Sequence, residues 1–354
     1  MRIALVMSHA DRVMTGATRE LHFCKGLNEH GCETRVFRMH GGPEIEEEYY
    51  LSGAVRVTFC PPDVSGPIPH KLTSRPMLDQ IKNFRPDLII YKGLSYRINQ
   101  FLQDRVGKVP YGFIVGGSVT DVLLDGASFV FGEYDQQLET HFSAFVQNGT
   151  AFVLPKYIAL DLCLKDEGAT KLYDIINVGN FYEKRKNQKD LLPLSDRYSI
   201  ALVGGGRPPG DFMEAAPQPA NVHLLGRLAH SEVFHALHQS KIMVHTSTMD
   251  GLPRSVVEAM ACGLPVVAYR STVYGGFVDG QHGFMTDPEN LRDTVSKLLE
   301  HEDLRLAFSA NARDYATRHH GTAAIENAAE RFVGFARGRI VKAGRVTQAS
   351  GAES

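Results

Sequence analysis

The chain lacks a strong charge of either sign. Its 38 Lys and Arg face 40 Asp and Glu, a formal net charge of −2, so no global attraction to nucleic acid is indicated. Cysteine is sparse: Cys24, Cys32, Cys60, Cys163 and Cys262 are scattered, odd in number and without metal-ligand spacing. That pattern reads as reduced thiols in a cytoplasmic protein. No apolar run is long enough to span a bilayer. The chain opens on a strand-like segment, residues 2–7, and is expected to carry no signal peptide. No short-period repeat is visible. Fifteen histidines are present, none with metal-ligand spacing in a fitting context, and His319-His320 reads as surface. Hydrophobic content of 43% and charge of 22% are ordinary for a globular protein, and 354 residues allow two domains.

What is present is concentrated in residues 242–287. The centre reads Ser247-Thr248-Met249-Asp250-Gly251-Leu252-Pro253-Arg254-Ser255-Val256-Val257-Glu258-Ala259-Met260-Ala261-Cys262-Gly263-Leu264-Pro265-Val266-Val267-Ala268. Ile242-Met243-Val244-His245 reads as a buried strand of a parallel sheet. Asp250-Gly251 breaks it. Pro253 suits the first helical position, where a missing N–H costs nothing. Residues 255–262 read as a helix, with Val256, Val257, Met260 and Ala261 on its apolar side. Gly263 is its left-handed stop, and Pro265 blocks continuation. The helix N-terminus then aims free N–H groups at whatever sits near Asp250, which favours phosphate. Glu258, further along the helix, can accept hydrogen bonds from paired hydroxyls, as on a ribose. Together these outline a site for a sugar nucleotide. The plainer reading of both acids is a solvated helix start, where carboxylates are favoured anyway.

The segment resembles the donor-binding signature of retaining glycosyltransferases of the GT-B fold, specifically family 4. The resemblance is carried by Gly251, Pro253, Glu258, Ala259, Met260, Ala261, Gly263, Pro265, Val266, Val267 and Ala268. Where that family typically has a first Glu, this chain has Asp250, one methylene shorter. The resemblance implies that Asp250 and the backbone of Gly251, Leu252, Pro253 and Arg254 meet the transferred sugar and phosphates, and that Glu258 holds the ribose.

Alternating strand and helix patterns run through both halves, the mark of α/β domains with open doubly wound parallel sheets. Strands are expected at 3–7, 34–37, 85–91, 111–115 and 128–131, with a helix over 18–30. Further strands are expected at 175–178, 198–203, 222–225, 242–244 and 265–268. The expected organisation is a first Rossmann-like acceptor-binding domain over 1–170 and a second, nucleotide-sugar-binding domain over 171–320. The resemblance adds a helix over 321–340 crossing back to the first domain. A disordered tail is expected over 341–354.

Other positions take roles from the same resemblance. Gly16, in the first loop, lets the backbone approach a phosphate or acceptor; the alternative is a plain helix-start turn. After the strand at 175–178, Asn180 stands where the family usually has an arginine. The cation that holds the leaving diphosphate falls on Lys186 or on Arg185, depending on register. A solvated charge run is the alternative. Arg254 or Arg12 could replace the missing arginine. The Gly204-Gly205-Gly206-Arg207-Pro208-Pro209-Gly210 run reads as a structural turn, since it lacks Gly-x-Gly-x-x-Gly. Leu225-Gly226-Arg227-Leu228 resembles the turn that receives the nucleobase, extending to His230. Gly116-Gly117-Ser118 stands where relatives have a histidine. Lys92-Gly-Leu-Ser95, at a strand end, reads as an ordinary turn; the alternative is contact with the acceptor.

The expected activity is transfer of a hexosyl group from a UDP- or GDP-sugar to a hydroxyl acceptor, with retention and without a metal or cofactor. The acceptor would be a saccharide, a lipid-linked glycan or a small molecule, selected by residues 8–15 and 41–50. Alternatives are a catalytically silent nucleotide-sugar-binding subunit and a sugar-nucleotide epimerase of the same fold. Arg337, Arg339, Lys342 and Arg345 add local positive charge, a basis for peripheral contact with the inner membrane face.

Overall fold

The computed structural model describes residues 1–9, 14–64, 69–116, 119–164, 168–207, 220–270 and 275–341. The expected tail beyond 341 lies outside them, as do Arg12, Gly117-Ser118 and Pro208-Pro209-Gly210. The chain forms two compact units. One comprises Met1–Tyr157 with the C-terminal segment from Thr322, the other Ile158–Gly321.

The first unit is built on eight strands: β1 (Arg2–Met7), β2 (Glu33–Met39), β3 (Glu46–Tyr50), β4 (Val55–Cys60), β5 (Leu88–Lys92), β6 (Tyr111–Ile114), β7 (Phe129–Gly132) and β8 (Ala151–Val153). Their order is β3-β4-β2-β1-β5-β6-β7-β8. All pairings are parallel except β3 with β4. Strands such as Ile3-Ala4-Leu5-Val6 are wholly buried, as parallel sheets covered on both faces require. The order reverses once: β2 and β4 lie to one side of β1, and β5 returns to the other.

Three features depart from the sequence expectation. Residues 41–50 are not all loop, since Glu46–Tyr50 forms the edge strand β3. Its run Glu46-Glu47-Glu48 is exposed and shows no apolar alternation, and charge of this kind also protects an edge from further pairing. The strand anticipated at 85–91 begins at Leu88, because Arg85 is a left-handed helix cap with φ 51°. His320 is buried at 2% exposure rather than on the surface. The helix Glu302–His320 turns inward there, and its last carbonyl accepts a hydrogen bond from the Ile158 amide.

The helix Thr322–Phe335 packs in the first unit, against the helix Arg19–Glu29. Gly26 permits the approach, since a Cβ there would stand 2.9 Å from Ala329 Cβ. Phe332 closes the core. Its ring centre lies 4.7 Å from that of Phe129, 4.8 Å from Phe131 and 5.6 Å from Phe152.

The second unit carries β9 (Tyr173–Val178), β10 (Ile200–Val203), β11 (Val222–Gly226), β12 (Ser240–His245), β13 (Val266–Tyr269) and β14 (Gly283–Thr286). All pairings are parallel, in the order β11-β10-β9-β12-β13-β14. The reversal falls between β9 and β12. Residues 158–164 pack with this unit: the Cys163 carbonyl lies against the His238 ring nitrogen, and Leu160 against Gly321.

Truncating Phe332 should be costly, because its cavity is lined by rings that cannot collapse. Phe332→Ala is expected to destabilise the first unit by about 3–5 kcal/mol, read by chemical denaturation. A loss under about 1 kcal/mol would show that the C-terminal helix is not part of the core.

Candidate functional site

A parallel sheet delivers the C-terminal ends of all its strands to one edge. In open α/β sheets that edge binds ligands where the strand order reverses. In the second unit the reversal lies between β9 and β12. The two loops that leave there, 179–187 and 246–253, carry Arg185, Lys186 and Asp250.

Asp250 joins them. Its Oδ2 accepts hydrogen bonds from Lys186 Nζ at 2.6 Å and His245 Nε2 at 3.0 Å. Arg185 Nη1 donates to Oδ1. Both cations that the sequence offered as alternatives therefore reach the same carboxylate. Burial alone would push this carboxyl upward. Hydrogen bonds from His245, Lys186, Ser247 and Arg185 outweigh it and hold the group well below the ordinary carboxylate range. Asp250 is thus ionised and only accepts, so His245 donates from Nε2. Burial lowers His245 from its ordinary value, Lys186 and Arg185 add to that, and the bond to Asp250 opposes it.

The loop after β9 is fixed by its own polar contacts. Gln188 Nε2 donates to the Gly179 carbonyl at 2.7 Å and to Asn177 Oδ1 at 3.2 Å. Asn177 Nδ2 donates across the reversal to the Val244 carbonyl at 2.7 Å. Thr246 Oγ1 donates to the Lys186 carbonyl at 2.7 Å, and the Thr248 amide to the Arg185 carbonyl at 3.1 Å. Asn180 does not point a cation at the site. Its Nδ2 donates to Glu183 Oε1 and the Tyr182 hydroxyl, and Glu183 in turn holds Arg185.

The helix after β12 runs Arg254–Ala261, with Pro253 as its cap at φ −67° and ψ 134°. Pro253 therefore stands one place outside the expected first helical position. No side chain caps this N-terminus; the Val256 and Val257 amides bond the Pro253 carbonyl, and an uncapped first turn is chemically suited to an anion. Gly263 closes the helix at φ 75°, the left-handed stop anticipated. Leu252 is buried, while Gly251 is exposed and able to present its amide.

Glu258 is buried on the first turns of this helix. Its Oε1 accepts from His230 Nε2 at 2.7 Å and from Arg254 Nε at 2.9 Å. Arg254 is therefore a partner of Glu258 rather than a neighbour of Asp250. His230 heads the helix His230–His238, which follows β11 and the turn through Gly226 and Leu228. Gly226 has φ 69°. The turns after β9, β10 and β11 touch: Gly204 donates to the Gly226 carbonyl, and a Cβ on Gly204 would stand 2.0 Å from the Gly179 carbonyl oxygen. Close packing thus holds Gly204, while Pro208-Pro209-Gly210 of the same run lie outside the described residues.

Gly16 is the exception among the candidates. It belongs to the first unit, and a Cβ there would meet nothing within 4 Å. Its carbonyl accepts from His22 Nε2 at 2.7 Å. His245, Glu183 and Ser247 were not singled out from sequence. His245 sits at the end of an apolar strand and reads there as core. Only its closeness to Asp250, five residues on, hints at more.

Residues 165–315 match the family model described as Glycosyl transferases group 1. The chain is 33% identical over 132 residues to N,N'-diacetylbacillosaminyl-diphospho-undecaprenol alpha-1,3-N-acetylgalactosaminyltransferase of Campylobacter jejuni, covering 36% of this chain and 34% of that one. Its matches span about a third of the length of the curated relatives. Among solved structures, sucrose-phosphate synthase from Thermosynechococcus elongatus aligns with a TM-score of 0.69 at 15% identity, covering 100% of both chains. Anabaena HepE, solved in complex with UDP and glucose, aligns with a TM-score of 0.64 at 15% identity, over 94% of this chain and 99% of that one. Both likenesses establish the fold, two parallel-sheet α/β domains of the GT-B type. Residues 165–315, which hold the signature from Asp250 to Ala268, match the glycosyl transferases group 1 family, glycosyltransferase family 4.

Proposed function

We propose that the chain transfers a hexosyl group from a nucleoside diphosphate sugar to a hydroxyl acceptor, with retention at the anomeric carbon. The observation that carries this reading is the convergence of Lys186 and Arg185 on Asp250 at the sheet reversal, beside the uncapped helix at Pro253. The UDP bound in the Anabaena neighbour supports a uridine donor. The activity that names the Campylobacter relative supports an acceptor carried on a lipid diphosphate.

In this reading the donor's diphosphate takes up Lys186 and Arg185, with the backbone N–H groups of Gly251, Leu252 and Arg254 as further donors. Fixed cations and amides stabilise negative charge as it develops on the leaving diphosphate. Asp250, released from those cations and still oriented by His245, accepts hydrogen bonds from sugar hydroxyls. Glu258 accepts from the ribose hydroxyls; His230 and Arg254 both bond its Oε1, and Oε2 takes no hydrogen bond from the described residues. The acceptor hydroxyl passes its proton to the departing phosphate oxygen as the new C–O bond forms on the same face. Asn180 favours one rival, a subunit that binds the nucleotide sugar without turnover, because the usual arginine is missing.

Proton NMR of the product should show a retained anomeric configuration; an inverted product would sink the mechanism. Glu258→Ala should weaken UDP binding at least tenfold, about 1.4 kcal/mol, by calorimetry. Lys186→Ala should lower turnover by about 10²–10³ with a much smaller effect on binding. Wild-type kinetics in both variants would remove the site. Asp250 has a lowered carboxyl pKa in the fold, so its stabilisation is complete above the unfolded value of about 3.9 and is lost as pH falls through the folded value. Asp250→Asn should be less stable than the parent at neutral pH, with the gap shrinking below about pH 4. A gap that stays constant down to acid would show that Asp250 is not held by these cations.

A further inference from the structure

The first unit has its own reversal, between β1 and β5. Lys92 ends β5, and its register partners are Met7 on β1 and Ile114 on β6. Arg19 and Glu20 begin the helix that follows β1, Glu133 follows β7, and Lys156 follows β8. Parallel topology brings all five to one edge. Arg19 Nη2 lies 2.8 Å and Lys92 Nζ 3.3 Å from the same atom, Glu20 Oε1. Arg19 Nη1 lies 3.5 Å and Lys156 Nζ 2.8 Å from Glu133 Oε1. Arg19 Nη1 also donates to the Leu154 carbonyl at 3.1 Å.

This arrangement is expensive for a purely structural role. Buried ions cost several kcal/mol each in desolvation unless closely compensated. Among the described residues the network sets three cations against two carboxylates, and its two deepest cations lean on one carboxylate oxygen. The compensation of Lys92 is incomplete. Burial, aided by repulsion from Arg19, outweighs the attraction of Glu20 and Glu133 and brings its ammonium down to about 8. The site is nonetheless reachable, since the side chains of Arg19, Lys92 and Lys156 keep 9, 10 and 22% exposure. His9 and Tyr96, hydrogen-bonded to each other, stand beside it across Gly93. A buried cluster that holds, among the described residues, one cation more than carboxylates, at the place where open α/β sheets bind ligands, is suited to an anion.

We infer that the first unit binds a phosphoryl group at its sheet reversal, held by Arg19 and Lys92 with Lys156 at the rim. If the chain is the glycosyltransferase proposed above, this group belongs to the acceptor, which is then a phosphorylated hydroxyl compound. The phosphoryl group would complete the charge balance of Arg19 and Lys92 and orient the acceptor by a point remote from its reacting hydroxyl. Free sugar or glycerol phosphates and phospholipid headgroups share this chemistry.

The test uses the full chain at constant ionic strength, titrated calorimetrically with inorganic phosphate, with glycerol 3-phosphate and with vesicles containing phosphatidic acid. Saturable phosphate binding is expected that falls at least tenfold in Lys92→Met and in Lys156→Gln, and persists in Lys186→Ala, whose change lies in the other unit. Binding of glycerol 3-phosphate identifies a soluble source; binding of the vesicles alone identifies a headgroup. Both support the inference. Absence of saturable binding to any of the three probes, or equal binding by wild type and both first-unit variants, overturns it. Lys156→Gln removes only a rim contact and keeps the test decisive if Lys92→Met fails to fold. A separate titration of the wild type with UDP reads the donor proposal alone. Failure there with Lys92-dependent phosphate binding intact removes the acceptor role and leaves the anion site standing.

Discussion

One ionised carboxylate organises the ligand edge of the second unit. Asp250 draws Arg185 and Lys186 from one loop and His245 from the end of β12 onto two oxygen atoms. Without it, Arg185 and Lys186, adjacent on one loop, would stand together at the sheet reversal without that counter-charge. With it, the loop after β9 and the loop after β12 are tied together, a link completed by Gln188, Asn177 and Thr246. The same carboxylate keeps both cations within reach of an incoming anion. In the proposed donor site, exchanging them from Asp250 to a diphosphate would cost less than drawing two fully hydrated side chains from solvent, because their positions are already set.

Both units solve the same problem with the same topology and different charges. In each, buried parallel strands carry apolar side chains on both faces, which leaves the strand ends as the place for polar chemistry. The second unit surrounds one acid with cations and lays glycine turns beside it. The first gathers two acids and three cations more deeply, and leaves Lys92 only partly compensated. The contrast follows from burial: a charge cluster near solvent is cheap to open, and a buried one is costly unless a ligand completes it.

Much of the second unit was legible before any coordinates. The Gly-x-Pro turn, the helix with Glu258 and the Gly263 stop depend on backbone preferences within a few residues, and these the chain states locally. Pro253 moved by one place because a cap and a first helical residue share nearly the same φ, and ψ alone separates them. The edge strand Glu46–Tyr50 was hidden because its pairing with β4 uses backbone groups while its side chains look like loop. His320 was misread because exposure near a helix end depends on which way the chain turns next, toward Leu160. Arg254 looked like a free cation for a phosphate, yet one helical turn places it on Glu258.

The sequence by itself determined the order of strands and helices, the two α/β halves and the family signature. Apolar runs, glycine and proline act over short spans and need no partner to be read. Only the tertiary structure decided which charges meet. Lys186 and Asp250 are 64 residues apart, and Arg19 and Glu133 are 114 apart. Their contact depends on the side of the central strand to which each later strand returns. That choice arises from packing the whole sheet, and no local pattern records it.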